Sequence, residues 1–147
     1  MKTKKHVLDI SYFRLSLIAF LKESHPERLE DQRFILSCAD KATEAYSNAI
    51  FNGDTSEEAI EKANYLLFKG LHFSKHDTLK NILWNEFSVE VPEEEAKDLA
   101  EKLLPECESI FDEYPLSDNF AYKPEYEFLY TELTGTIALY LQRHELQ

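Results

Sequence analysis

Apolar side chains return at every third or fourth position along almost the whole chain. Ile10, Phe13, Leu17 and Leu21 are followed by Leu29, Phe34, Ile35, Cys38, Ala42, Ala45, Tyr46 and Ala49, and then by Ala59, Ile60, Ala63, Leu66 and Leu67. The same spacing continues through Leu79, Ile82, Leu83 and Phe87, through Ala96, Leu99, Ala100, Leu103 and Leu104, and through Tyr126, Leu129, Tyr130, Leu133, Ile137, Tyr140 and Leu141. A period near 3.6 lays such residues on one side of an α-helix. The pattern predicts an all-α chain: one domain over residues 1–147, an antiparallel bundle of six or seven helices. Glycine scarcity agrees, because 3 glycines stand where average usage of about 7% would place roughly ten.

Punctuation divides the pattern. Ser24-His25-Pro26 ends the first helix, since the residue before proline is pushed out of the α region. Pro26 is expected to open the second helix, with Glu27, Glu30 and Asp31 near its positive end, and Asn52-Gly53 to stop it. Thr55-Ser56-Glu57-Glu58 has the form of a capping box for the third helix, which Gly70 closes. Asp77 is the expected N-cap of the fourth helix, and Pro92 with Glu93, Glu94 and Glu95 opens the fifth. Pro105 should kink or split that fifth helix, because it lacks an N–H and crowds the carbonyl four residues back. Residues 115–123 read as a loop. Pro124 opens the last helix, and Arg143 and His144 suit its negative end.

Charge is uneven. The net charge is −12, yet residues 1–75 carry 11 of each sign, while residues 76–147 carry 5 positive and 17 negative side chains. Direct nucleic-acid binding is therefore not expected, because it draws on Lys and Arg to displace counterions. Lys2, Lys4, Lys5 and His6 form a basic arm, and residues 1–8 are expected to be flexible. The apolar stretch Ile10–Leu21 is broken by Arg14 and falls short of the roughly 20 residues a membrane helix needs. Asp9 and Arg14 also interrupt any signal-peptide core, so a cytoplasmic protein is expected. Cys38 and Cys107 lack metal or redox spacing and are expected to be buried free thiols.

Few constellations carry chemistry. His72 and His76 stand four apart with Asp77 beside them, which gives a candidate metal set for a small metal-dependent enzyme. Against it, Phe73 occupies the place of the glutamate in H-E-x-x-H, and Gly70 and Ser74 suggest that the pair straddles a helix junction. Glu93-Glu94-Glu95 lacks the spacing of a calcium loop. No Glu is followed three residues later by His, and no nucleophile elbow or phosphate loop is present. No catalytic residue and no cofactor is expected.

Trp84 lies one position off the line of Leu79, Leu83 and Phe87, and a wide apolar face is expected to bury both aromatics. The alternative is an aromatic exposed beside acidic side chains, the composition of a partner-binding surface, with Trp84, Glu86, Tyr126 and Tyr130 as its candidate residues. Gly135 inside the last helix costs roughly 1 kcal/mol relative to alanine, and close approach of a neighbouring helix is the expected compensation.

Several blocks carry a resemblance: Gly70-Leu71-His72-Phe73-Ser74-Lys75, Ile82-Leu83-Trp84-Asn85-Glu86-Phe87, Leu103-Leu104-Pro105, Phe120-Ala121-Tyr122 with Pro124-Glu125-Tyr126, and above all Leu129-Tyr130-Thr131-Glu132-Leu133-Thr134-Gly135-Thr136. Together they resemble a domain-of-unknown-function family of small acidic proteins from Bacteroidetes. The resemblance runs from about Ser11 to Leu141. It implies an all-helical cytoplasmic protein, frequently encoded near mobile genetic elements, and it transfers no catalytic residue.

The first functional reading is thus a non-enzymatic module presenting an acidic helical surface to a protein partner, with an acidic DNA mimic as a variant of it. The second is the metal-dependent protein built on His72, His76 and Asp77. A homodimer is compatible with either, two-fold pairs being the commonest soluble assemblies.

Overall fold

The computed structural model describes residues 8–145. Six α-helices account for most of them, with no strand among the described residues, so the all-α expectation holds. The helices are α1 (Ile10–Ser24), α2 (Gln32–Phe51), α3 (Ser56–Leu67), α4 (Lys75–Glu86), α5 (Glu93–Phe111) and α6 (Glu125–Glu145). Short 3-10 turns stand at Pro26–Arg28 and Phe120–Tyr122. The chain divides into two compact units, Met1–Leu71 and His72–Gln147.

In the N-terminal unit, Phe13, Leu17 and Leu21 of α1 are buried with Ile35, Ala39, Ala42, Tyr46 and Ala49 of α2 and Ala59, Ala63 and Leu67 of α3. Alanine dominates the buried stripes of α2 and α3, so the two helices can lie close along their length. Lys2, Lys4, Lys5 and His6 lie outside the described residues. Leu8, at the end of the expected arm, is half-buried against this core. His25 is buried, and its Nε2–H donates to the Leu71 carbonyl at 2.8 Å, while Nδ1 lies 3.7 Å from a Glu27 carboxylate oxygen.

In the C-terminal unit, Leu79, Ile82, Leu83 and Phe87 meet Ala96, Ala100, Leu103, Cys107 and Phe111 of α5 and Leu129, Leu133 and Ile137 of α6. Each fully buried Leu, Ile or Phe contributes about 1.5–3 kcal/mol. Burial pushes the Cys107 thiol up to about 11, with the nearby Glu106 carboxylate adding to the shift. Cys38 is only half-buried, contrary to expectation; burial raises its thiol too, opposed by Lys41 and Arg28.

Local capping explains where the helix ends depart from the expected ones. The Asp31 carboxylate accepts the Phe34 N–H at 3.2 Å, so α2 begins at Gln32 and the segment after Pro26 is only a 3-10 turn. Ser74, not Asp77, caps α4: its Oγ accepts the Asp77 N–H at 2.9 Å. The capping box of α3 forms as read, with Thr55 Oγ1 accepting the Glu58 N–H at 3.1 Å and Glu58 Oε1 accepting the Thr55 N–H at 2.9 Å. Gly53 and Gly70 follow α2 and α3 with φ of +100° and +83°, which a side chain would resist.

Pro105 does not split α5, which runs unbroken from Glu93 to Phe111. Glu101 and Pro105 are both exposed, so the carbonyl that the missing N–H leaves unpaired can meet water. The expected loop at 115–123 contains the 3-10 turn, whose Phe120 is fully buried.

Candidate interaction surface

The sequence candidates Glu86, Tyr126 and Tyr130 come together; Trp84 does not join them. The end of α4 supplies Asn85 and Glu86, and the first turns of α6 supply Tyr126, Glu127, Tyr130 and Thr131, to a shallow groove of about 390 Å³. Helical periodicity sets the α6 side: Tyr126 and Tyr130 share one edge, Glu127 and Thr131 the next. Leu129, Leu133 and Ile137 hold the helix in the core below them.

Tyr130 organises the groove. Its hydroxyl donates to Glu86 Oε2 at 3.0 Å and accepts from Asn85 Nδ2 at 3.3 Å. Partial burial raises its phenol above the ordinary tyrosine value, the Asn85 hydrogen bond opposes this, and Glu86 adds to the rise. Burial likewise raises the half-buried Tyr126. Both phenols therefore stay protonated near neutral pH. An aromatic chain leads from the core to this point, with ring centroids 5.4 Å apart from Phe73 to Phe120, 6.3 Å from Phe120 to Tyr126 and 6.1 Å from Tyr126 to Tyr130.

A second tyrosine–glutamate pair ties α6 on its other side. Tyr114 donates to Glu132 Oε1 at 2.5 Å, and that hydrogen bond, ahead of all else, pushes its phenol up to about 12. Much of the Leu129–Thr136 block thus serves to fix α6: Leu129 and Leu133 enter the core, Tyr130 and Glu132 hold the two flanks, and Thr134 donates to the Tyr130 carbonyl at 2.8 Å. Gly135 does not fit this account. It is exposed, and nothing lies within 4 Å of where a Cβ would sit, so the expected close approach of a neighbouring helix does not occur.

Trp84 is exposed, against the expectation that α4 buries it with Phe87, because the buried face of α4 is filled by Leu79, Ile82 and Leu83. It lines a separate hollow with Ser88, Val91 and Glu93. His72 is exposed ahead of α4, and its backbone N–H donates to Asp118 Oδ1 at 3.1 Å. His76 is buried, its Nε2–H donating to the Lys97 carbonyl at 3.2 Å, and Asp77 lies 3.3 Å from Lys80 Nζ. Among the described residues no three His, Cys, Asp or Glu side chains are placed to share a metal ion. None of the described helices is long and apolar enough to cross a membrane.

Asn85, Glu127 and Thr131 are groove residues that the sequence reading missed. Glu127 and Thr131 follow Tyr126 and Tyr130 by one position each, and that paired i, i+4 spacing was the available signal.

These features define an all-α protein of two compact units, the second bearing an acidic groove walled by tyrosines. The chain belongs to the family described as a domain of unknown function, DUF1896, which it matches over residues 5–146. It is similar to protein PG0816 from Porphyromonas gingivalis, known from a crystal structure, with 40% sequence identity and a TM-score of 0.88 over 99% of each chain. No curated protein matches it.

Proposed function

We propose that this chain is a non-enzymatic protein-interaction module whose groove at the α4–α6 junction receives a Lys- or Arg-bearing segment of another protein. The observation that carries the reading is the convergence of Glu86, Glu127 and two tyrosines on one groove. Carboxylates and aromatic faces both attract ammonium and guanidinium groups, the aromatic face by about 0.5–1 kcal/mol at exposed sites. The surrounding charge works in the same direction. The C-terminal unit carries 17 acidic and 6 basic side chains, against 11 and 10 in the N-terminal unit. Such a field speeds encounter with a basic partner. The raised phenols suit a binding role, since protonated tyrosines offer hydrogen bonds and do not shuttle protons near neutral pH.

The test is cross-linked affinity capture from the native cell, comparing wild type, Glu86→Gln with Tyr130→Phe, and the distant control Phe51→Ala. A partner recovered by wild type and the control but reduced at least tenfold by the groove variant is the expected result. Equal recovery by all three, or recovery of no partner, refutes the reading.

A further inference from the structure

Within the groove, one phenol decides how a cation can be met. Tyr130 Oη donates its only proton to Glu86 Oε2 at 3.0 Å, so the Asn85 contact at 3.3 Å comes from the amide NH2 and not from its oxygen. That leaves Glu86 Oε1 and Asn85 Oδ1, on consecutive residues at the end of α4, as acceptors that no described residue engages. Glu86 is exposed, and an exposed glutamate carboxylate turns readily about its last bond; the Tyr130 hydrogen bond holds one of its oxygens and so sets its plane. Tyr126 and Tyr130 stand with ring centroids 6.1 Å apart and planes 55° from parallel, so neither ring covers the other's face.

We infer that this groove selects arginine over lysine, and that Tyr130 makes it selective by holding the Glu86 carboxylate. The inference rests on the reading of the groove as a cation site and names which cation it takes. An arginine guanidinium is a planar fork of five N–H donors with no acceptor, and it gains most from a carboxylate whose plane is already set, because two parallel bonds then form without further ordering. It also lies flat on aromatic faces and gives up its water more readily than an ammonium does. A lysine ammonium is a compact charge with three donors. It is drawn by Glu86 and Glu127 whatever the plane of either carboxylate, and the Tyr130 hydroxyl adds nothing to its binding. Removing that hydroxyl separates the two cations, since ring and charge stay while the orientation of Glu86 is lost.

The test titrates the isotope-labelled full chain with the capped tripeptides Gly-Arg-Gly and Gly-Lys-Gly, each to about 20 mM at a constant ionic strength of about 0.15 M. Nuclear magnetic resonance follows the Asn85 side-chain amide and the Glu127 and Thr131 backbone signals, all within the groove. The arginine peptide should bind about fivefold tighter than the lysine peptide. Tyr130→Phe should weaken the arginine peptide about fivefold, to the lysine level, and leave the lysine peptide within about twofold of wild type. Glu86→Gln should weaken both peptides and erase the preference. Equal binding of the two peptides in the groove, tighter lysine binding, or an arginine preference that survives either substitution overturns the inference and leaves the groove a cation site. Groove signals that move with neither peptide overturn it together with the reading beneath it.

Discussion

Gly135→Ala offers a direct reading of what an exposed glycine costs in α6. A glycine in a helix interior is worse than alanine by about 0.5–1 kcal/mol, because its unfolded backbone has more freedom to lose. The usual counterweight, a neighbour that the methyl would strike, is missing here. The variant should therefore be more stable by about 0.5–1 kcal/mol. Unfolding entropy near 2.1 cal/mol/K per residue converts this into a melting shift. If all 147 residues melt together the rise is about 2–3 °C; if His72–Gln147 melts as its own unit of 76 residues it is about 3–6 °C. Thermal unfolding is followed by circular dichroism at about 5 µM. Gly53→Ala is the control of opposite sign, since φ of +100° is strained for any side chain and its melting temperature should fall. A Gly135→Ala protein that melts at or below the wild-type temperature would refute the reasoning, by showing that the monomer needs the bare backbone.

Two further outcomes follow from buried and short hydrogen bonds. His25→Ala leaves the Leu71 carbonyl without its 2.8 Å donor and should lower stability by about 1–3 kcal/mol, read as a reduced urea midpoint at unchanged slope; a loss below about 0.5 kcal/mol would contradict the assigned role. Tyr114 carries a phenol raised from 10.0 to about 12, so the stability it confers is whole below pH 10 and is lost as pH climbs from 10 to 12. Wild type should weaken more steeply than Tyr114→Phe over that interval, measured as urea midpoints at pH 8 and pH 11, and parallel declines would reject the coupling to Glu132.

The helices were legible because their signals are local. Period, proline and glycine fixed five of the six α-helices to within a few residues, and Thr55 with Glu58 announced their own cap. Asp31 and Ser74 were harder to read because Pro26 and Asp77, equally eligible by type, stood nearby, and only backbone geometry decides which side chain reaches an open N–H. Pro105 left the break undecided for a related reason: whether the helix parts there depends on whether water reaches the freed carbonyl. The groove was half legible. Tyr126, Tyr130 and Glu86 were named from residue type, but the sequence holds no record that α4 ends against the first turns of α6, which is what joins Asn85 to Tyr130 across 45 positions. Trp84 shows the converse, since one residue of helical phase separates it from Leu83 and turns it outward.

The bond from His25 to Leu71 has a practical meaning for anyone dividing this protein. Leu71 is buried and anchored to the turn that follows α1, so it is the keystone of the first half and not the opening of a connector. A fragment cut at Gly70 would sacrifice both the anchor and the side chain beneath it, whereas one ending after Leu71 keeps its own closure intact.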